Sequence, residues 1–246
     1  NGKYVATGYH FSEKKTYTTT STDGTTWTTP IENGIVNVTP YSIIYGNDKF
    51  VIVSSDGYTS TSTNGINWTA QKRVGERNWL NVAYGNGKFV AVGYNGYISS
   101  SSDGENWSVP TQSVSNHLRT IVYGNGKFVA MGDYGTSITS TDGINWTTRQ
   151  LAGNAAASWN AVTYGNGRFV AVGTSWRSIS SIDGINWTDT PSNETTNFNS
   201  IGYDGNVFLA MKYKDRMTST DGINWTHLSN ISLPDFSNIE YVFPMP

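Results

Sequence analysis

One short motif recurs six times in this chain, and that recurrence constrains the fold more than any other feature. The motif ends in Trp27, Trp68, Trp107, Trp146, Trp187 and Trp225, spaced by 41, 39, 39, 41 and 38 residues in a chain of 246. A period near 40 residues marks an array of small units, each unable to bury its own apolar face alone. The third unit shows the content of one repeat. Leu80-Asn-Val-Ala-Tyr84 alternates and meets Gly85-Asn-Gly87. Lys88-Phe-Val-Ala-Val92 follows and meets Gly93-Tyr-Asn-Gly96. Tyr97-Ile-Ser-Ser-Ser-Ser102 then meets Asp103-Gly104, and Asn106-Trp-Ser-Val109 ends the unit. These are four short strands separated by turn residues.

Two of the turns recur nearly unchanged. Tyr84-Gly-Asn-Gly-Lys88 returns as Tyr45-Gly-Asn-Asp-Lys49, Tyr123-Gly-Asn-Gly-Lys127 and Tyr164-Gly-Asn-Gly-Arg168, with Tyr203-Asp-Gly-Asn206 as a degenerate copy. Asn-Gly supplies the positive φ of a tight hairpin. The other turn returns as Ser21-Thr-Asp-Gly24, Ser62-Thr-Asn-Gly65, Ser140-Thr-Asp-Gly143, Ser181-Ile-Asp-Gly184 and Ser219-Thr-Asp-Gly222. There the Asp side chain is expected to bond backbone amides two residues on.

Four strands per unit, six times over, predict an all-β fold: a six-bladed β-propeller of four-stranded antiparallel blades, forming a single domain over residues 1–246. The motif Trp is expected to wedge between neighbouring blades. The chain starts in mid-unit, since Asn1-Gly-Lys-Tyr4-Val-Ala matches Asn86-Gly-Lys-Phe89-Val-Ala. It ends on Phe236-Ser-Asn-Ile-Glu-Tyr241, which matches Trp79-Leu-Asn-Val-Ala-Tyr84. The expectation is a ring closed by pairing the C-terminal strand with the N-terminal blade, one blade being shared between residues 1–30 and 236–243. Closure removes open sheet edges, so deleting residues 234–246 is expected to destabilise the whole ring.

Composition narrows the function classes. Charged residues are 14% and aromatics 13%, with no cysteine. Disulfides, iron–sulfur clusters and thiol catalysis are excluded. A net charge of −2 and a pI near 5.9 argue against nucleic-acid binding, which favours strongly basic domains. The longest apolar runs are four or five residues, far below the ~20 of a membrane-spanning helix. His10, His117 and His227 lack ligand spacing, and the Asp-Gly turns lack a calcium-loop pattern, so neither metal nor cofactor is expected.

The Ser-Thr-Asp-Gly-Ile-Asn-Trp146 turn resembles the Asp-box, or bacterial neuraminidase repeat, written Ser-x-Asp-x-Gly-x-Thr-Trp, with one residue fewer. The longer unit is similar to the sialidase-like propeller repeats of secreted and surface proteins of bacteria. The resemblance implies the propeller fold and an extracellular or cell-surface location. For function it implies less, because Asp-boxes occur in enzymes, lectins and adhesins alike. Sialidase machinery would need three arginines, a Tyr with a Glu, and a further acid. Arg119, Arg177 and Arg216, with Glu76, Asp133 and Asp215, are the residues available, and no family role is carried onto them. The expectation is a chain that is not an enzyme, with a sialidase-like glycosidase as an alternative.

The repeated turns fall on one rim and the divergent connections on the other. Shared turns suit scaffolding and divergent ones suit a site. Six of the seven arginines (Arg73, Arg77, Arg119, Arg149, Arg177 and Arg216) fall on the divergent rim. Solvated loop charge explains them as well as an anionic or polar ligand does. Five residues before each inner-strand Tyr stand Pro40, Trp79, Leu118, Trp159, Phe198 and Phe236, either packing caps or stacking platforms for sugars. Tyr58, Tyr94, Tyr134, Trp176 and Tyr213 sit on short loops of the same rim, where exposed aromatics mark interaction surfaces. The expected ligand-binding set is Trp79, Tyr94, Arg119, Tyr134, Trp159, Trp176, Arg177 and Tyr213. The leading function is a non-catalytic, lectin-like module recognising carbohydrate. The alternative is a protein-interaction or spacer domain of a larger surface protein, monomeric within that chain. Five Asn-Trp-Thr/Ser sequons, at Asn67, Asn106, Asn145, Asn186 and Asn224, would crowd glycans beside the motif tryptophans, which hints at a bacterial source.

Overall fold

A computed structural model describes residues 2–150, 157–174, 177–190, 197–212 and 215–228. The C-terminal segment expected to close the ring, residues 236–243, lies outside the described residues. The described chain forms six antiparallel sheets, over residues 4–36, 40–73, 79–112, 118–150, 159–189 and 200–227. The first has three strands and each of the others four. In every sheet neighbouring strands are consecutive in sequence, as short hairpin turns dictate. Three single-turn 3-10 segments are the sole helical elements among the described residues. No helix there is long and apolar enough to cross a membrane.

The chain divides into two compact units, the break falling between Ser115 and Asn116. In the first unit, sheets one and two enclose Val5, Ile35, Val38, Ile43, Phe50 and Ile52. Sheets two and three enclose Val51, Val53, Val74, Trp79, Val82, Phe89 and Ala91. The strand Lys49–Ser54 therefore sends Phe50 and Ile52 to one neighbour and Val51 and Val53 to the other. That is why it is apolar on both alternations. The second unit repeats the arrangement. Phe169 and Ala171 pack with Val129 and Met131 of sheet four, while Val170 and Val172 pack with Phe208 and Ala210 of sheet six. The motif tryptophans lie half-buried at the border of these cores, as Trp107, Trp187 and Trp225 show. Trp27 departs from this and is exposed among the described residues.

The first glycine in three of the Tyr-Gly-Asn turns has a reason the sequence does not reveal. A Cβ on Gly46 would run into the ring of Tyr84 from the next sheet. Gly124 meets Tyr164 and Gly165 meets Tyr203 in the same way. The Tyr of one sheet thus lies flat on the glycine of the sheet before it, and against its own strand partner, with Tyr164 and Phe169 centroids 4.7 Å apart. Such contacts add aromatic pairing to area burial.

Candidate functional site

Strand direction alternates, so each sheet has a turn edge, carrying the two repeated turns, and an opposite loop edge. The turn edge is a hydrogen-bonded lattice. In the Ser140–Trp146 turn, the Ser140 hydroxyl donates to Asp142 Oδ1 at 2.9 Å, and the amides of Ile144 and Asn145 donate to the same oxygen at 2.9 and 2.8 Å. The Asn145 side chain donates to Asp142 Oδ2 at 2.8 Å. Hydrogen bonds from Asn145 and Ile144 hold the Asp142 carboxyl well below the usual carboxylate range. Asp103, Asp183 and Asp221 repeat the full geometry. Adjacent sheets are then latched turn to turn. Asn47 Nδ2 donates to the Ser102 carbonyl at 3.2 Å, and Lys49 pairs with Glu105 at 2.8 Å. In the second unit, Asn125 and Asn166 donate to the carbonyls of Ile182 and Thr220 at 3.2 and 3.1 Å. The Ser, Asp and Asn side chains that recur on this edge are thus engaged in holding the scaffold.

Four first strands carry a bulge where they reach the loop edge, at Tyr41, Leu80, Arg119 and Asn160. A bulge re-aims a side chain and ends the regular ladder. In the first unit the loops Ser55–Gly57 and Tyr94–Gly96 close the second-to-third strand hairpins, with Asp56 and Asn95 each at φ 55°. Asp and Asn tolerate that left-handed conformation. Asn78 ties the two loops together: its side-chain oxygen accepts from the Asp56 amide at 2.8 Å and its carbonyl from the Tyr94 amide at 3.1 Å. Burial, with Tyr94 and Asp56 nearby, pushes the Tyr41 phenol above its ordinary range. Beside this cluster, Arg73 lies over the Tyr58 ring at 5.9 Å and Arg77 over the Tyr97 ring at 5.4 Å. Arg73 Nε also donates to the Asp56 carbonyl at 3.1 Å. The first sheet's hairpin projects farther, its pairing running on to His10↔Lys15. At its tip Phe11 is 76% exposed and packs edge-on against Tyr9.

In the second unit the loop Asp133–Gly135 repeats the hairpin, but the residue at φ 55° is Tyr134. It is 70% exposed. The neighbouring Asp133 is buried and forms an ion pair with Arg119, through Nε and through Nη2 at 3.4 Å. At the next bulge Asn160 Nδ2 donates to the Phe198 carbonyl at 2.8 Å.

These positions correct part of the sequence expectation. Trp79 and Trp159 are not stacking platforms. Both are 0% exposed, enclosed in the inter-sheet cores, and Trp79 Nε1 donates to the Val74 carbonyl at 3.0 Å. The first-strand position they occupy is a packing cap, which Leu118 and Phe198 fill equally well. Arg119 is on the loop edge, but its charge is taken by Asp133, so it does not stand as an open anion receptor. Arg177 is half-buried and engaged with neighbours. Arg149 bonds the Thr139 hydroxyl of the neighbouring strand at 3.1 Å, and Arg216 is 8% exposed, so neither is loop charge. Tyr94 and Tyr134 are exposed as expected. Trp176 and Tyr213 lie outside the described residues. Reading the sequence missed Tyr41 and Tyr97. The bulge that aims Tyr41 has no local signature, and Tyr97 opens a strand like many others until Arg77 is found above it. Among the described residues no cluster of His, Asp and Glu could hold a metal.

The family model described as the DUF6242 beta propeller domain matches residues 1–118. A solved structure of YCF48 bound to D1 peptide superposes with a TM-score of 0.69 at 17% identity, covering 99% of this chain and 90% of that one. The fold is a β-propeller. Virginiamycin B lyase from Staphylococcus aureus gives a TM-score of 0.67 at 13% identity, over 79% of this propeller chain and 71% of its own. A chain of the Nidogen/Laminin complex gives 0.62 at 11% identity, over 89% of each. No curated protein matches the sequence.

Proposed function

We propose that this propeller is a non-catalytic protein-interaction module, and that the loop edge of its first unit is the docking surface. The observation that carries the proposal is the pair of stacks, Arg73 on Tyr58 and Arg77 on Tyr97, set beside Tyr41 and the exposed Tyr94. Tyr and Arg are enriched at the centres of protein interfaces and among their hot spots. A guanidinium over an aromatic face is oriented before a partner arrives, which lowers the ordering cost of binding. Two of the similar structures are of propellers with protein partners, one bound to a peptide and one within a protein complex. The Ser-x-Asp-Gly turns support kinship with Asp-box-like repeats as a matter of scaffold, without sialidase chemistry.

Carbohydrate recognition is the second reading. Tyr134 favours it, as an exposed ring on the second unit's loop edge. Affinity capture from the source organism's surface and secreted fractions tests the two readings, using the wild type, Tyr94→Ala with Arg77→Ala, and Tyr134→Ala. A captured protein lost with the Tyr94/Arg77 pair and retained in free sugar supports the proposal. Glycan-array binding lost with Tyr134→Ala, with no captured protein sensitive to Tyr94 and Arg77, would replace it by the second reading.

A further inference from the structure

We infer that the segment docking on the first unit's loop edge is an acidic, extended peptide whose carboxylates are taken by Arg73 and Arg77. The inference rests on the protein-interaction reading above and adds the chemistry of the partner. Arg73 ends the last strand of sheet two and Arg77 lies in the connection that follows, which turns at Gly75 with φ 83°. They reach over rings of two different sheets, Tyr58 of sheet two and Tyr97 of sheet three.

Three cations elsewhere in the chain are each matched by an acid. Lys15 pairs with Glu32, Lys49 with Glu105 and Arg119 with Asp133. Neither Arg73 nor Arg77 forms an ion pair with a described residue, although both are exposed. Arg73 spends its Nε on the Asp56 carbonyl, which fixes the plane of the guanidinium and leaves its terminal nitrogens as donors. Lys72, the adjoining cation, bonds the neutral Asn106 side chain at 3.0 Å. The acids beside the two arginines are Asp56 and Glu76, while the Lys72 ammonium reaches Asn106 in the Asp103 turn, so what marks this place is two exposed guanidiniums with no ion-pair partner among the described residues.

The spacing of the two arginines is one that an extended chain can match. The two arginines are four positions apart, so their Cα atoms lie at most about 14 Å from each other. Carboxylates two or four residues apart on an extended peptide are separated by about 7 or 13 Å on the same side. A guanidinium is planar and weakly hydrated and can take a carboxylate through two parallel hydrogen bonds. The arginines also cover the faces of Tyr58 and Tyr97, which removes those rings as sugar platforms while presenting donors outward.

The test uses the full chain and three fluorescein-labelled twelve-residue peptides that alternate Ser with Glu, Gln or Lys. Binding is read by fluorescence anisotropy at low and high salt. The variants are Arg73→Gln, Arg77→Gln and their double, with Lys88→Gln on the turn edge as the charge-matched control. The Glu peptide is expected to bind at least about tenfold more tightly than the Gln peptide at low salt, and to lose that preference as screening rises. The double variant is expected to erase the preference and Lys88→Gln to leave it within about twofold. Equal binding of the Glu and Gln peptides overturns the acidic assignment, and so does a preference untouched by the double variant. In either case the protein-interaction reading stands if Tyr94→Ala still weakens capture of a partner. Absence of binding by every peptide also overturns the acidic assignment, and partner capture then decides the broader reading separately. All four variants should melt within about 2 °C of wild type, because none of the replaced side chains belongs to the buried core.

Discussion

Asp142 is the sharpest test of the turn-edge reading, because the chain contains its own control. Its carboxylate accepts from Ser140, Ile144, the Asn145 amide and the Asn145 side chain. In sheet two the same turn carries Asn64, whose Oδ1 accepts from Ser62 at 3.1 Å, Ile66 at 2.9 Å and Asn67 at 2.8 Å. Asp142→Asn should therefore keep three of the four bonds and lose the one that needs the second oxygen, a cost of about 1 kcal/mol. Asp142→Ala loses all four, and by analogy with side-chain caps costs about 2 kcal/mol. For a chain of this size each kcal/mol lowers the melting temperature by about 2–4 °C. The expected losses are about 2–4 °C for Asn and about 4–8 °C for Ala, read by calorimetry at pH 7. Acid adds a second readout. The Asp142 pKa is depressed in the folded state, so its stabilisation is complete above the ordinary value of 3.8 and is lost as pH falls below it. Asp142→Asn does not titrate, so its deficit relative to wild type should shrink between pH 7 and pH 3. An Ala variant melting within 1 °C of wild type, or an Asn variant as damaged as the Ala, would refute the account.

Gly132→Ala should be among the most disruptive single-methyl changes, since its Cβ would collide with the His117 carbonyl oxygen; a loss of soluble protein or a cost of about 3 kcal/mol is expected by denaturant titration. Trp79→Ala should cost about 3–5 kcal/mol as a core truncation while leaving partner capture by the surviving folded fraction intact, which separates a packing role from a contact role.

Much of the architecture is legible in the sequence, because it rests on local chemistry. Asn125 at φ 44° and Gly126 at φ 74° adopt what Asn-Gly is chosen for, and the period-2 runs between such turns are the strands observed. What resists reading depends on partners far along the chain. Gly46 looks like one more turn glycine until Tyr84 of the next sheet is found lying on it. Trp79 at a strand start has the same local pattern whether it faces solvent or core, and Val53, Val74 and Phe89 decide the matter. Arg119 reads as an available cation because Asp133, fourteen residues on, comes beside it only through the register that sets Leu118 opposite Gly132.

Tyr134 is where the local and global levels disagree. At the matching loop positions Asp56 and Asn95 occupy the left-handed region, as short polar residues do at little cost. Tyr134 adopts the same φ with a bulky side chain, and 70% exposure denies it most of the burial that would offset a strain of about 1 kcal/mol. The second reading of the function, which takes this ring as a contact with something outside the fold, is therefore open to a direct test. Tyr134→Asn should then be nearly neutral for stability, because relief of the backbone offsets the little packing the ring provides. If that variant instead unfolds the protein, the ring is structural and the second unit's loop edge loses its claim to a ligand. If the variant melts normally and ligand capture falls, the strained tyrosine marks a contact made outside the fold.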